Sequence, residues 1–265
     1  MIETGDDGYT AIAAQEAFCS FPDQAAASIL AEGTSLAPGG AIHPLCAIAV
    51  AELQRYLAMQ NEWKHNFGLD AGGEGAVIGK MFGVLVARTP DGTMGYLAAF
   101  SGKLANGNHH SRFVAPVFDG LANGGFVNAG MLRLTEINQQ IAELEKECAS
   151  FHQPSILRLK SLRKSHSVRL QRKIHEQYNF INKAGISRNM VDIFADHGYK
   201  QPPAGAGECA GPKLLQHAFR HRLEPLALAE FWWGLSPKSA TWKHGEFYKP
   251  CKEKCAPILG YMLSS

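Results

Sequence analysis

The chain has 265 residues, of which 46% are hydrophobic and 19% are charged, and its net charge at pH 7 is +2. This length can bury a sizeable core, and the composition is ordinary for a soluble globular protein. No apolar run reaches the roughly 18 residues that a membrane helix requires, and the N-terminus lacks the basic region of a signal peptide. We therefore expect a cytoplasmic protein without membrane contact, whose six cysteines are thiols or metal ligands rather than disulfides.

The first 40 residues are rich in Ala, Gly and Ser and predict a flexible N-terminal arm with one short helix. Apolar residues then recur at helical spacing from Leu45 to Leu57, which predicts an amphipathic helix. Two apolar runs, 81–87 and 96–100, flank a Thr-Pro-Asp-Gly turn sequence and predict a β-hairpin. A shorter apolar run at 113–118 contains Pro116, so a strand there would be an edge strand.

From about 131 to 183 the apolar residues follow a helical period in two stretches, separated by a His-Gln-Pro-Ser interruption. This pattern predicts a helical-hairpin insertion over 130–184. The segments 41–129 and 185–265 then form an α/β (α+β) core, with a central sheet and flanking helices. In its last part we expect a helix over 210–220, a strand over 225–234 and a helix over 251–262.

The second helix of the predicted hairpin is strongly basic and has no acidic residue among its cations, which are Arg158, Lys160, Arg163, Lys164, Arg169, Arg172 and Lys173. The first helix carries four glutamates, at positions 136, 143, 145 and 147. Opposite charges on neighbouring helices could pair, and the basic helix would then be an ordinary solvated surface. Alternatively, the excess of cations over glutamates forms a surface for RNA phosphates. Both interpretations remain open.

The last third of the chain contains Cys209, Cys251 and Cys255. Zinc prefers thiolate and imidazole ligands in tetrahedral geometry. On a helix, residues i and i+4 share a face, so the last two sulfurs could reach one ion, and a cysteine that opens a helix has a stabilised thiolate. Three thiolates with an open position would make a catalytic Zn²⁺ site, and a histidine in fourth place (His244, His197 or His217) would make a structural one. Cysteines that bind no metal are the third alternative.

The order of these elements resembles the core of zinc-dependent nucleobase deaminases, which implies a deaminase-like central sheet. In that family the first ligand opens a helix and is followed by a proton-shuttling glutamate, and Pro-Cys-x-x-Cys supplies the other ligands. Here three residues separate Cys251 from Cys255, and Gly211 stands at the glutamate position. The adjacent carboxylate is Glu208, which precedes the first ligand, so we take Glu208 as the candidate catalytic residue.

Several longer segments resemble the N-terminal region of long bacterial RluA-type RNA pseudouridine synthases, namely residues 43–46, 79–86, 95–102, 202–215, 229–234 and 247–259. The resemblance covers roughly His43 to the C-terminus. It implies a role in modification of rRNA or tRNA and association with a pseudouridine synthase domain. The family's catalytic aspartate lies in a His-Arg-Leu-Asp stretch of a separate C-terminal domain, whereas this chain has His221-Arg222-Leu223-Glu224 in the part that matches the N-terminal region.

Two functions from different classes are therefore expected. The first is an RNA-binding accessory part of an RluA-type pseudouridine synthase, and the second is a zinc-dependent, deaminase-like enzyme. A zinc-stabilised scaffold that binds a protein through its helical hairpin is a third possibility. Trp232 and Trp233 would be core residues or a base-stacking surface.

Overall fold

The computed structural model describes residues 17–34, 36, 40–70, 72–122, 124–147 and 152–265. The strands are β1 (Phe18–Ser20), β2 (Lys80–Arg88), β3 (Met94–Phe100), β4 (Asn179–Ile181), β5 (Ser187–Asn189), β6 (Glu224–Trp233) and β7 (Phe247–Tyr248). The helices are α1 (Gln24–Ala31), α2 (Pro44–Met59), α3 (Phe126–Lys146), α4 (Gln153–His175), α5 (Met190–Asp196), α6 (Ala210–Arg220) and α7 (Cys255–Met262). The predicted α+β class is therefore confirmed.

The centre of the fold is a five-stranded sheet in the order β1-β3-β2-β6-β7, and every neighbouring pair is antiparallel. Strand β2 lies in the middle, where Val84 faces Ala98 of β3 on one side and Ala229 of β6 on the other. The predicted β-hairpin is β2 and β3, joined by a tight turn in which Gly92 has a φ of +92°. Glycine adopts this left-handed conformation at no steric cost.

Helices cover both faces of the sheet, because successive side chains of a strand point to opposite sides. One face packs against α1 and α2, with Leu45 and Leu53 buried against Phe82 and Phe231. The other face packs against α5, α6 and α7. The cysteines of the candidate site belong to this second layer.

The helical hairpin of α3 and α4 has a small core of its own, formed by Ile137, Ile141 and Ile156. The two helices approach closely where Gly130 faces Leu170, because a Cβ atom at position 130 would lie 2.6 Å from Leu170 Cδ1. The hairpin joins the rest of the molecule at its base. There Phe118 packs on Phe126 of α3 and on Tyr178, three residues beyond the end of α4.

Three sequence-based boundaries differ from the structure. The second helix of the hairpin ends at His175, so Ile181 lies in β4 rather than on the helix. The apolar run at 113–118 makes only an isolated bridge, from Phe113 to Ala98, since Pro116 cannot donate to a ladder. The last helix begins at Cys255, and Cys251 precedes it in a turn.

Part of the predicted N-terminal arm belongs to the core. Strand β1 extends the sheet by pairing with β3, and α1 buries Ala27 and Ala31 on the first face. Residues 1–16 of the arm lie outside the described residues. Among the helices of the described part, none is long and apolar enough to cross a membrane.

Candidate metal centre and nucleic-acid interface

The structure brings Cys209, Cys251 and Cys255 together, as the sequence predicts. Their sulfur atoms all lie within 4.8 Å of one another, and those of Cys251 and Cys255 are 3.3 Å apart. Cys255 is buried, with 2% exposure, whereas the other two cysteines are partly exposed. The cluster could therefore hold a metal ion that is reachable from one side.

Each cysteine is placed by a short local structure. Cys209 is the residue that caps the N-terminus of α6, and its side chain makes no capping hydrogen bond, so its sulfur is free to face the cluster. The chain reaches it through Gly207, whose φ is +86° and whose Cβ position would lie 2.7 Å from the Tyr178 ring. Cys251 and Cys255 are joined by one turn, in which the Cys255 amide donates to the Cys251 carbonyl at 3.2 Å. A turn, and not the predicted helix, therefore brings residues i and i+4 together.

The three thiols are hydrogen-bonded to one another. Hydrogen bonds with Cys209 and then with Cys255 lower the pKa of the Cys251 thiol to about 2. The hydrogen bond with Cys251 raises the pKa of Cys209 to about 12, and the pKa of Cys255 is also raised by hydrogen bonds with its two neighbours. A metal ion that takes all three thiolates must displace protons, so its affinity should rise with pH.

The donor set fits zinc. A Zn–S bond of about 2.3 Å in tetrahedral geometry places two sulfurs slightly under 4 Å apart, and this cluster meets that spacing with small adjustments. No histidine or carboxylate of the described residues completes the cluster. Of the candidate fourth ligands, His244 accepts a hydrogen bond from the Gly234 amide at 3.1 Å, and His217 packs on His221 with ring centroids 4.3 Å apart. His197 bonds to the Ile193 carbonyl at 2.9 Å.

Glu208, the predicted catalytic residue, lies beside Cys209 in sequence but has other partners. Its carboxylate accepts a hydrogen bond from the Tyr178 hydroxyl and lies 3.5 Å from the Lys213 ammonium. Lys213 is 3% exposed and also donates to the carbonyls of Phe100 and Gly102. Burial lowers the pKa of Lys213, and the negative charge of Glu208 opposes this shift. Glu208 thus acts as the counter-ion of a buried lysine in this geometry.

A different carboxylate, which its local sequence does not mark as a site residue, lies near the cysteines. Glu230 lies in β6 with 5% exposure and is the one buried carboxylate among the described residues. Its Oε1 accepts a hydrogen bond from the amide of Gly211, at 3.0 Å. Burial, assisted by the charge of Cys251, raises the pKa of Glu230 to about 7. A lone acid in the apolar run from Leu226 to Trp233 was the available sequence signal.

The basic helix α4 exposes all seven predicted RNA-binding cations. Two of them form ion pairs, Lys160 with Glu145 at 2.8 Å and Arg172 with Glu176 at 3.1 Å. Two others have weaker partners. Arg163 donates to Asn138 at 3.1 Å, and the Lys173 ammonium lies 4.6 Å from the centre of the Phe126 ring.

Three cations of α4 have no ion pair or hydrogen-bonded side chain in the described part of the chain, and these are Arg158, Lys164 and Arg169. From 126 to 175 the chain carries nine lysines and arginines against four glutamates, whereas the net charge of the whole chain is +2. Charge pairing between the helices therefore accounts for only part of the basic face. The remainder is a solvent-exposed cationic surface.

The two tryptophans at the end of β6 differ in burial. Trp233 is a core residue with 8% exposure. Trp232 is partly exposed and stacks on Trp242, with ring centroids 5.9 Å apart and an angle of 18° between the planes. Trp242 in turn contacts Tyr248 edge to face, with ring centroids 4.6 Å apart. An aromatic surface therefore lies next to the segment that leads into Cys251.

No protein-family model, no curated protein and no solved structure matches this chain.

Proposed function

We propose that this protein is an RNA-binding accessory module of RNA modification, with the role that its resemblance to the N-terminal region of RluA-type pseudouridine synthases implies. The observation that carries the proposal is the cationic face of α4, which is exposed and only partly paired within the protein. RNA phosphates, from rRNA or tRNA, are the partners that fit such a face. A pseudouridine synthase domain would supply the catalytic aspartate.

The shape of the hairpin suits this role. The cations follow one long helix of 23 residues, which spans about 35 Å at the rise of an α-helix. An open groove of about 870 Å³ lies between the helices, and its lining combines Lys160, Arg163 and Lys164 with small polar residues and with the apolar side chains of Met131, Leu134 and Val168. Contacts to phosphates in such a groove position a nucleic acid without reading its bases. The proposal therefore predicts binding that depends strongly on salt and weakly on sequence.

The test is RNA affinity as a function of salt concentration. Wild-type protein is compared with Arg158→Gln/Lys164→Gln/Arg169→Gln, which removes the three unpaired cations. The matched control is Lys64→Gln/Lys200→Gln/Lys238→Gln, which removes the same charge from exposed positions outside the hairpin. Because each phosphate that a cation neutralises contributes about 0.7 to 0.9 to the slope of log K against log salt, the hairpin variant should lose about two units of slope.

Equal slopes for the two triple variants would overturn the proposed interface, since the effect would then follow total charge alone. Absence of salt-sensitive RNA binding by the wild-type protein would overturn the RNA-binding function itself.

A second candidate function, a zinc-dependent nucleobase deaminase-like enzyme, is supported by the cysteine cluster. Three thiols converge, and within the described residues no fourth histidine or carboxylate closes the set. Zinc bound there would supply a polarised water molecule at its remaining position. The order of the elements is also that of the deaminase core. Helix α6 opens at Cys209, strand β6 follows it, and the cysteine pair comes last. Conversion of cytidine to uridine by zinc-loaded protein is the direct assay, and its absence in the Cys251→Ser/Cys255→Ser variant is the control.

A further inference from the structure

A cleft of about 760 Å³ lies between helix α6 and the segment of residues 109–117. Its volume is within the roughly 300–1,000 Å³ that is usual for small-molecule sites. The α6 side of the cleft carries polar side chains at three- and four-residue spacing on one face of the helix, and these are Lys213, Gln216, His217, Arg220 and His221. None of the three clustered cysteines lines the cleft, so it is separate from the candidate metal centre.

The cleft is rich in basic groups. Its lining residues include Arg112, Lys213, Arg220 and four histidines, with no aspartate or glutamate. Carboxylates outside the lining offset part of this charge, in the pairs Arg112 with Glu52 at 2.8 Å, Lys213 with Glu208 at 3.5 Å and His109 with Asp119 at 3.0 Å. Arg220 has no ion pair and no side-chain hydrogen bond in the described part of the chain. Positive charge without a partner therefore remains at the C-terminal end of α6.

The same end of α6 holds a buried nitrogen atom without a partner. Nε2 of His217 is buried and makes no hydrogen bond to any of the described residues. His221 follows one helical turn later, with its ring centroid 4.3 Å from that of His217. Neutral histidine carries its proton on either ring nitrogen, so Nε2 can donate to an acceptor. Because buried polar atoms in proteins almost always have a partner, this nitrogen near the Arg220 guanidinium is a place for an acceptor atom of a ligand.

Two simpler explanations account for less. Basic side chains in the last turn of a helix interact favourably with its negative end, but this effect does not require a buried imidazole without a partner. A metal ion would use His217 and His221 together. Among the described residues, however, no third histidine, cysteine or carboxylate lies close enough to make a three-ligand site with them.

We propose that this cleft binds a phosphate ester, with the phosphate group on Arg220, His217 and His221 and the organic part against the apolar wall of residues 113 and 115–117. A guanidinium donates two parallel hydrogen bonds to a phosphate group, and each imidazole N–H adds one. The phosphate can belong to a free nucleotide or to an RNA strand, because the recognition chemistry is the same. This site is distinct from the cationic face of α4, and it depends on neither function proposed above.

The experiment is a calorimetric titration of the full chain with uridine 5′-monophosphate, compared with uridine, which lacks the phosphate. The wild-type protein should bind the monophosphate at least about tenfold more tightly than uridine, because hydrogen bonds between charged groups are the strong ones. Arg220→Gln should weaken binding of the monophosphate at least about tenfold and leave binding of uridine unchanged. Since Arg220 is exposed, this variant should fold normally.

The matched control is Arg222→Gln. Arg222 is also exposed and lies two residues further along the chain, but it lines a different cavity. This variant should bind the monophosphate as the wild type does. His217→Gln should bind it more weakly, and in the wild type the ring-proton resonances of His217 and His221 should shift when the monophosphate is added. These resonances report that the ligand lies in the cleft.

A second titration separates the two sources of phosphate. It uses a uridine oligonucleotide without terminal phosphates and the Arg158→Gln/Lys164→Gln/Arg169→Gln variant, so that the three unpaired cations of α4 do not contribute. Oligonucleotide binding that Arg220→Gln weakens further would assign the cleft to an internal phosphate of RNA. Binding of the monophosphate alone would assign it to a free nucleotide or an RNA terminus.

Three results would overturn the proposal. The first is no binding of either phosphate ligand, and the second is equal affinity for the monophosphate and uridine. The third is an equal effect of Arg220→Gln and Arg222→Gln on phosphate binding. Because the monophosphate titration does not involve the helical hairpin, failure of the hairpin as an RNA interface would leave this result unaffected.

Discussion

The helical hairpin and the cysteine centre hold their charged groups in opposite ways. In α4 the cations are exposed and only partly paired, and the helices beneath them share a small apolar core. In the centre, Cys255 and Glu230 are buried in the layer between the sheet and its helices. Exposed charge contributes little to stability and suits a polyanion that binds from solution. Buried ionisable groups are costly unless they are compensated, which is typical of a metal or catalytic site.

The largest expected effect is the loss of the metal from the cysteine centre. Cys251→Ser/Cys255→Ser should abolish zinc binding and destabilise the protein by more than the roughly 2–5 kcal/mol of a typical large-to-small core substitution, because metal binding is coupled to folding at such sites. Elemental analysis should find no zinc in this variant. Hydrogen exchange should be faster in α7 and unchanged in the helical hairpin. Cys46→Ala, a buried cysteine in the opposite layer, should keep the metal. A double variant that retains zinc would exclude this site.

Ile137→Ala tests whether the hairpin is an independent part of the structure. Ile137 is fully buried in the small core of α3 and α4, and truncation of such a residue costs about 2–5 kcal/mol. Hydrogen exchange should accelerate in α3 and α4 only, and RNA affinity should fall while zinc content stays constant. Leu214→Ala, in α6 on the second face of the sheet, should accelerate exchange around α6 and lower zinc content while RNA affinity stays constant. Loss of zinc from Ile137→Ala would mean that the two regions are coupled.

A pH effect on stability should arise from a buried histidine in the body of the protein. Burial, with smaller contributions from His221 and Arg220, lowers the pKa of His217 from its ordinary 6.5 to about 3. Between these values the unfolded chain binds a proton that the folded protein does not, so stability should fall as the pH drops below 6.5. In His217→Gln this fall should be smaller. Urea unfolding at pH 7 and pH 5 measures the free energy of unfolding of both proteins. An equal decrease in the two proteins would contradict the contribution of His217.

The smallest effect is expected for an exposed ion pair of the hairpin. Arg133 and Glu136 lie one helical turn apart, with 2.7 Å between charged atoms and about half of each side chain exposed. Glu136→Gln should cost only about 0.2–0.5 kcal/mol, as is usual for such pairs on a helix surface. Thermal unfolding in low and high salt measures this. A loss above 1 kcal/mol would show that the surface charges of the hairpin are structurally important.

Local sequence signals predicted the elements that depend on local physics. The Pro-Asp-Gly turn predicted the hairpin of β2 and β3, and apolar periodicity predicted α2 and the two long helices. The convergence of the three cysteines was also predictable, because cysteine chemistry restricts what their spacing can mean.

The features that the sequence missed depend on tertiary placement. The short strand β1 forms because the edge of β3 is available, which its own three residues do not reveal. Glu230 resembles an isolated charge in an apolar strand until α6 is packed over it. Glu208 was chosen for its position next to Cys209, but the fold directs its carboxylate to Tyr178 and Lys213.

Lysine footprinting in the presence of RNA tests the central claim most directly. Acetylation of each lysine is measured by mass spectrometry with and without bound RNA. RNA should protect Lys160, Lys164 and Lys173 of α4, while Lys200 and Lys238 keep their reactivity. Protection confined to Lys249, Lys252 and Lys254 beside the cysteine centre would place the RNA there and contradict the proposed role of the hairpin.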